Sequence, residues 1–320
     1  MNQTLAIGID IGGTNTDIGL VRSDGICIAR SNFGTAQCPT ADFFIDRLCD
    51  TVANLLKSNN ISTTEGIGIG APNGNCLTGC MDECPNLPHL SHLPLKQRLE
   101  ERLHMPVAVG NDANAAALGE MVYGGAKDLQ DFVTITLGTG VGSGIVIGRR
   151  LLLGVHGNAG EVGHSILVPD GRPCSCGRRG CVEEYTSARG ICKTFIELRN
   201  ATESYNGMLN GINDSQLTPK LIAEAAQQGD ALSIATYQRT GYYLGLTCAN
   251  VVSLLAPQKI FLMGGPMQAG SLILNPTQKS FDENLLLIYR GQVSIEPSHL
   301  STNNAAILGA AALLQLTMEN

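Results

Sequence analysis

The stretch LAIGIDIGGTNTDIGLV, residues 5–21, decides the fold class. Its two β-rich halves flank Gly12-Gly13-Thr14, and this pattern predicts two strands joined by a tight turn. Asp24-Gly25 is a second turn signal, after which a third strand is expected at 26–28. Apolar residues that recur about every 3.6 residues then predict an amphipathic helix over 40–57.

A similar order of elements begins again at FVTITLGTGVGSGIVI, residues 132–147. This repetition indicates an internal duplication, and strands interspersed with helices predict an α/β protein with two lobes that face one interlobe cleft. We place the boundary near Leu118, so that residues 1–118 form the first lobe, completed by a helix in 301–320, and residues 119–300 form the second. Further strands are expected at 65–71, 107–109, 151–153 and 259–263, and further helices at 95–103, 113–121, 187–198, 218–228, 231–255 and 305–316.

Glycine turns follow three of the predicted strands and favour a nucleotide site. Glycine lets backbone N–H groups approach an anion closely, and a Thr hydroxyl adds a further donor. Neither a P-loop nor a dinucleotide fingerprint fits, because a strand rather than a helix follows the first turn. Asp10 is predicted to bind Mg²⁺ or its water shell, the alternative being a cap for the turn. The predicted nucleotide residues are Gly12, Gly13, Thr14, Gly138, Thr139, Gly140, Gly264 and Gly265.

One histidine and three cysteines suggest a metal site. His164, Cys174, Cys176 and Cys181 lie within 18 residues, in a segment rich in Gly and Arg. Three thiolates and one imidazole suit a closed tetrahedral Zn²⁺ site, which is structural because no coordination position stays open. The alternative is a chance group of loop cysteines. The arginines of this segment, Arg172, Arg178 and Arg179, are expected to be solvated.

Composition excludes several classes of protein. The 320 residues carry a formal net charge of -7, so the chain has no basic field for nucleic acid. The most apolar stretch, 305–316, is shorter than the roughly 20 residues that a bilayer requires. Asp10 interrupts the first apolar run, which argues against a signal peptide. A cytoplasmic enzyme without a membrane partner is therefore expected.

Five segments, in chain order, carry a family resemblance. They are Asp10-Ile-Gly-Gly-Thr14, Gly110-Asn-Asp-Ala-Asn-Ala-Ala-Ala117, Leu137-Gly-Thr-Gly140, Gly160-Glu-Val-Gly-His164 and Cys174-x-Cys-Gly-x-x-Gly-Cys-x-Glu183. Together they resemble the ROK family of repressors, open reading frames and sugar kinases, over nearly the whole chain. The resemblance implies the actin-like, ribonuclease-H-like fold that hexokinases share.

The resemblance also implies a reaction, namely the ATP- and Mg²⁺-dependent phosphorylation of a hexose, with glucose at its 6-hydroxyl ranked first. Asp112 is then the catalytic base, although a helix N-cap would also suit this position. Zinc would fix His164 and anchor Glu183, whereas Glu183 and Glu184 could also be surface carboxylates. The sugar contacts that the resemblance implies are Gly74, Asn75, Asn86, Asn111, Asp112, Glu161, His164 and Glu183.

Two departures from the family pattern bear on the choice of substrate. Asn15 joins the expected nucleotide residues at a position where many members have Lys, although glucokinase-like relatives tolerate Asn there. The tryptophan that often follows the Asn86 position is absent. An N-acetylmannosamine or N-acetylglucosamine kinase is therefore an alternative, and a non-catalytic sugar sensor is an alternative of another class. A DNA-binding repressor is not expected, because the phosphate turn begins at residue 10. Family habit suggests a homodimer.

Overall fold

A computed structural model describes residues 4–84, 86–300 and 304–318. Within these residues the strands are β1 (Leu5–Ile11), β2 (Asn15–Arg22), β3 (Cys27–Gly34), β4 (Ile67–Gly70), β5 (Val107–Gly110), β6 (Phe132–Leu137), β7 (Val141–Ile147), β8 (Arg150–Leu151), β9 (Lys259–Met263) and β10 (Ser294–Pro297). The helices are α1 (Ala41–Ser58), α2 (Leu95–Leu103), α3 (Asp112–Val122), α4 (Glu183–Thr186), α5 (Ala188–Asn200), α6 (Pro219–Gln227), α7 (Ala231–Leu255), α8 (Ser271–Asn284), α9 (Ala305–Ala312) and α10 (Gln315–Met318).

The first sheet has the strand order β3-β2-β1-β4-β5. The strands β1, β2 and β3 run antiparallel as a meander, whereas β4 is parallel to both β1 and β5. The amphipathic helix predicted at 40–57 is α1, and its N-cap Thr40 accepts a hydrogen bond from the Phe43 N–H at 3.2 Å. Its apolar face belongs to the same buried core as Ile7 and Ile9 of β1.

The second sheet repeats this order as β8-β7-β6-β9-β10. Here β6 is parallel to β9 and β9 to β10, while β7 pairs antiparallel with β8. The internal duplication predicted from the two glycine turns is therefore present in the strand order. The strand expected at 151–153 is shorter and begins earlier, at Arg150–Leu151.

The chain forms two compact units. The first comprises Met1–Leu129, Gly144–Ala159 and Ser298–Asn320, and the second comprises Gln130–Ser143 and Gly160–Pro297. The boundary predicted near Leu118 falls inside α3, whose hydrogen-bonded backbone continues to Val122. Of the predicted terminal segment 301–320, residues 301–303, 319 and 320 lie outside the described residues. No helix in the described part of the chain combines the length and apolarity that crossing a bilayer requires.

Helix α9 packs directly on the first sheet, against β1 and β4. The contact is so close that a Cβ atom on Gly68 would overlap the carbonyl oxygen of Ala310. A Cβ atom on Gly8 of β1 would likewise overlap the carbonyl oxygen of Ile307. Backbone therefore lies on backbone at this contact, and only glycine fits the strand positions beneath the helix.

We expect Gly68→Ala to lower the free energy of unfolding by about 1–3 kcal/mol, because α9 must move away from the sheet. The matched control is Gly70→Ala in the same strand, where a Cβ atom would lie 3.5 Å from the Cβ of Ala115, an ordinary contact distance. Urea unfolding of both variants measures the difference. Equal stability of the two variants would contradict this account of the packing.

Candidate functional site

Asp112 lies where β5 passes into α3. The N-cap of α3 is Asn111, whose Oδ1 accepts a hydrogen bond from the Asn114 N–H at 2.7 Å. The alternative role of Asp112 as N-cap is therefore wrong, since the preceding residue has that role. Asp112 is the first helical residue, and its Oδ1 accepts a hydrogen bond from the Ala113 N–H at 2.9 Å. Its side chain is exposed, yet the protein around the carboxylate removes enough hydration to raise its pKa.

Asp10 lies near two further carboxylates of the first unit, those of Asp112 and Asp17. Asp10 at the end of β1 is the direct partner of Asp17 in the β1–β2 pairing. Burial, together with the negative charges of Asp112 and Asp17, raises the pKa of Asp10 to about 6. A divalent cation would relieve this repulsion, and oxygen ligands suit Mg²⁺, which keeps several water molecules. The residues present therefore fit the predicted Mg²⁺ in the role of water-shell ligands.

Replacing Asp10 with Asn is expected to stabilise the protein at pH 8 and to have little effect near pH 4. Asp10 binds its proton more tightly in the folded chain than in the unfolded chain, because its pKa rises from 3.8 to about 6. Wild-type stability therefore falls as the pH rises through this range, by at most about 3 kcal/mol, whereas Asn does not titrate. Urea unfolding without metal at both pH values measures the effect, with exposed Asp50→Asn as control. If Asp10→Asn raised the free energy of unfolding equally at pH 4 and at pH 8, the raised pKa of Asp10 would be contradicted.

The first glycine turn is open to solvent. The Gly12 N–H donates to the carbonyl of Asn15 at 2.8 Å and so closes the hairpin. Gly13, Thr14 and Asn15 are exposed, and a Cβ atom on Gly13 would meet no atom within 4 Å. The turn therefore offers an open backbone edge, with Gly13 and Thr14 as the residues best placed to donate N–H groups to an anion.

The second unit contains the other two glycine turns, side by side. The Gly138 N–H donates to the carbonyl of Gly140 at 2.9 Å and so closes the second turn. Thr139 is exposed at its tip. Gly264 has a φ of 111°, and a Cβ atom there would overlap the carbonyl oxygen of Leu137. Only glycine can occupy this position, and Gly265 beside it is exposed.

The four predicted metal ligands lie together in the second unit. Ligand atoms of His164, Cys174, Cys176 and Cys181 all lie within 4.8 Å of one another. The Cys176 and Cys181 sulfurs are 3.6 Å apart, and Cys174 Sγ is 3.7 Å from His164 Nδ1. Zinc–sulfur bonds of about 2.3 Å at tetrahedral angles require sulfur separations near 3.8 Å. The donor set and its spacing therefore fit Zn²⁺, with His164 Nε2 left over for another partner.

The predicted sugar residues of the second unit adjoin this cluster. Glu161 is exposed and precedes a single helical turn that contains His164. Buried Ser143 holds this segment, because its hydroxyl donates to the Gly160 carbonyl and accepts from the Val162 N–H at 3.4 Å. Sequence reasoning missed Ser143, since a serine within a predicted strand gives no signal of such a role.

Glu183 and Glu184 are buried, so the alternative of two surface carboxylates is wrong. Glu183 Oε1 accepts from Cys174 Sγ at 3.2 Å, while a Cβ atom on Gly140 would lie 2.7 Å from Oε2. Arg189 lies between the two carboxylates, 3.4 Å from Glu183 and 3.2 Å from Glu184. Glu183 thus connects the cysteine cluster to the second glycine turn.

The loop after β4 contains the remaining predicted sugar residues, in the first unit. Gly74 packs on the end of β5, where a Cβ atom would overlap the Gly110 carbonyl. Asn75 is buried; its Nδ2 donates to Asp82 and to the His156 carbonyl, each at 3.0 Å. Its Oδ1 accepts from two backbone N–H groups of its own loop, so a sugar contact would compete with existing bonds. Asn86 is exposed.

Arg172 was expected to be solvated, and this prediction is wrong. Only 9% of its side chain is exposed, and its guanidinium lies 4.6 Å from the centre of the Tyr185 ring. It donates to both carboxylate oxygens of Glu197, at 2.7 and 2.6 Å. No sequence signal distinguishes it from Arg178 and Arg179, which are exposed.

Several known proteins are similar to this chain over most of its length. Residues 6–316 match the ROK family. A glucokinase of Halalkalibacterium halodurans is 34% identical over 98% of this chain and 96% of its own length. The xylose repressor of Bacillus subtilis is 27% identical over 97% of this chain and 76% of its own. The solved structure of a ROK family glucokinase from Streptomyces griseus, in complex with glucose and AMPPNP, is 36% identical with a TM-score of 0.81, covering 97% of this chain and 98% of that one.

These similarities confirm two predictions made from the motifs. The actin-like, duplicated α/β fold class agrees with the two five-stranded sheets and with the structural neighbours. The family resemblance is confirmed by a match that covers nearly the whole chain. The chain belongs to the ROK family.

Proposed function

We propose that this protein is an ATP-dependent hexose kinase that phosphorylates glucose at its 6-hydroxyl. The observation that carries the proposal is the exposed carboxylate of Asp112. Asn111 caps α3, so the Asp112 side chain needs no structural role and remains exposed for a substrate. Its turn is part of a chain that is similar along its length to a glucokinase solved with glucose and AMPPNP.

In the proposed reaction, Asp112 accepts the proton of the 6-hydroxyl as the oxygen attacks the γ-phosphorus of ATP. The raised pKa of Asp112 supports this role, because a base is most effective when its pKa approaches the working pH. The Ala113 N–H holds the carboxylate at the helix N-terminus. Phosphoryl transfer otherwise requires mainly positioning and charge neutralisation.

The proposed nucleotide contacts are the backbone N–H groups of the glycine turns. In the first unit these are Gly13, Thr14 and Asn15, and in the second unit Thr139, Gly140 and Gly265. Gly12, Gly138 and Gly264 shape the turns. Gly12 and Gly138 donate the hydrogen bonds that close their turns, and Gly264 has a positive φ. Asp10 holds water ligands of Mg²⁺, which when bound neutralises phosphate charge.

In the second unit the proposed sugar-binding residues are Glu161, His164 and Glu183. In the first unit they are Asn86, Asn111 and the backbone of Gly74. Carboxylate and amide groups suit this task, because each can bridge two hydroxyls. For Asn75 we propose an indirect role, because its amide group is already hydrogen-bonded within the protein. His164 offers Nε2 to the sugar while Nδ1 faces the cysteines.

A structural Zn²⁺ held by His164, Cys174, Cys176 and Cys181 is part of the proposal. The spacing of the four donors supports it. Hydrogen bonds from Arg178 lower the pKa of Cys176 to about 6, which favours the thiolate that a metal needs. Bound in this way, the metal would fix the ring of His164 and the loop that leads to Glu183.

The test is an ATP-consumption assay with purified protein, Mg²⁺, Zn²⁺ and a panel of hexoses. The panel includes glucose, mannose, allose, fructose, N-acetylglucosamine and N-acetylmannosamine. We expect the highest kcat/KM with glucose. A preference for an N-acetylated sugar would select the alternative kinase, and sugar binding without turnover would select the sensor. The homodimer and the cytoplasmic location remain predictions, of which light scattering tests the first.

A further inference from the structure

Arg172 lies two residues before the first cysteine of the metal cluster, in a loop that is otherwise largely exposed. All five N–H donors of its guanidinium have acceptors, which is the full capacity of the side chain. Two of them bind the carboxylate oxygens of Glu197 in α5, and one of the others binds Thr194 Oγ1 at 2.9 Å. The remaining two bind the backbone carbonyls of Glu184 and Gly190, at 2.5 and 3.2 Å.

The carbonyls of Glu184 and Gly190 identify the two helices that Arg172 joins. Glu184 belongs to α4, the four-residue helix that begins at Glu183, and Gly190 belongs to the first turn of α5. A helix of one turn has few hydrogen bonds of its own and leaves carbonyl groups without intrahelical partners. The guanidinium therefore joins α4 to α5 at the junction that follows the proposed sugar ligand.

The backbone of Arg172 is held on both sides as well. Its N–H donates to the Tyr185 hydroxyl at 2.9 Å, and its carbonyl accepts from the Gly180 N–H at 2.8 Å. The ring of Tyr185, also in α4, packs against the guanidinium. One residue thus fixes α4 through a side-chain bond, a backbone bond and a ring contact.

We infer that Arg172 is a positioning residue for the sugar-binding carboxylate of Glu183. The inference rests on the proposed function, and it concerns the orientation of α4 rather than contact with the sugar. Lysine cannot replace this arginine, because an ammonium group has three donors and no planar fork. The role differs from that of the cysteine cluster, in which Cys174 Sγ lies 3.2 Å from Glu183 Oε1.

The experiment compares Arg172→Lys with Arg179→Lys, the same change at an exposed position of the same loop. Glucose affinity is measured by calorimetry without ATP, the KM of each substrate and kcat by turnover, and bound zinc by mass spectrometry. We expect Arg172→Lys to weaken glucose binding about 10- to 100-fold, with zinc content, kcat and the KM for ATP close to wild type. Arg179→Lys is expected to match wild type.

Should Arg172→Lys fail to fold, Glu197→Gln removes the paired carboxylate at a side chain that is 52% exposed, and the same direction of change is expected. Unchanged glucose affinity in a less stable protein would overturn the inference, since the arginine would then serve stability alone. Full recovery of affinity on adding zinc would overturn it too, because the defect would lie in the metal loop. If the wild-type protein neither binds nor phosphorylates glucose, the proposed function and this inference are both contradicted. If the wild type is active and Arg172→Lys binds glucose with the same affinity, only the inference is contradicted.

Discussion

Asp112→Asn is expected to lower kcat by about 10²- to 10⁴-fold, the range that general base catalysis contributes. Asparagine has the same shape as aspartate, so its Oδ1 keeps the hydrogen bond from the Ala113 N–H. It cannot accept the hydroxyl proton. Because Asn111 supplies the N-cap, we expect α3, the melting temperature and glucose affinity to stay close to wild type.

The measurement combines single-turnover kinetics with calorimetric glucose binding. Asp128→Asn, an exposed position beyond the end of α3, is the matched control for the loss of one negative charge in this unit. The raised pKa of Asp112 adds a second observable, since wild-type kcat/KM should rise with pH through a value above the ordinary carboxyl range. Turnover by Asp112→Asn at the wild-type rate would exclude Asp112 as the base.

Cys176→Ser is expected to abolish stoichiometric zinc binding and to raise the KM for glucose about 10- to 100-fold. Cys176 is the exposed member of the cluster, so the change leaves no buried cavity. Its sulfur is 3.6 Å from Cys181, and a hydroxyl is a poor substitute for a thiolate ligand. The freed loop should lower the melting temperature and loosen both His164 and Glu183.

Zinc content, melting temperature and glucose affinity are measured together on Cys176→Ser and on Cys80→Ser. Cys80 lies in the loop after β4, outside the cluster, and controls for the loss of a thiol. If Cys176→Ser lost its zinc and kept full glucose affinity, the metal would not contribute to sugar binding. Retention of zinc by Cys176→Ser would contradict the proposed ligand set itself.

Much of the fold was predictable because local pattern and tertiary packing agree. The bounds of α2, α7 and β9 are those expected, since each has a strong apolar pattern between turn or cap residues. Helix α8 was not predicted, because Pro276 within it is a helix breaker in sequence terms. The helix forms because it packs along α7, where Ser280 donates to the Tyr242 carbonyl at 2.7 Å.

The site was predictable where a motif carries its own chemistry, and less so where a side chain acts through burial. The four predicted metal ligands lie together, as their spacing suggested. The exposure of Arg172 was misjudged, because burial depends on which helix covers a loop and not on the loop sequence. The capping role at 111–112 depends on where α3 begins, which sequence patterns define only to within about two to four residues.

The position of α9 on the first sheet also determines the order in which the protein can fold during synthesis. Strand β1 emerges early from the ribosome, but the helix that covers Gly8 and Gly68 is made only after the whole second unit. At about 5–20 residues per second, that face of the sheet stays uncovered for tens of seconds. The second unit can fold during this time, because its own segments have already been synthesised. We therefore expect nascent chains that end before residue 305 to contain a folded second unit beside an unfinished, chaperone-dependent first one.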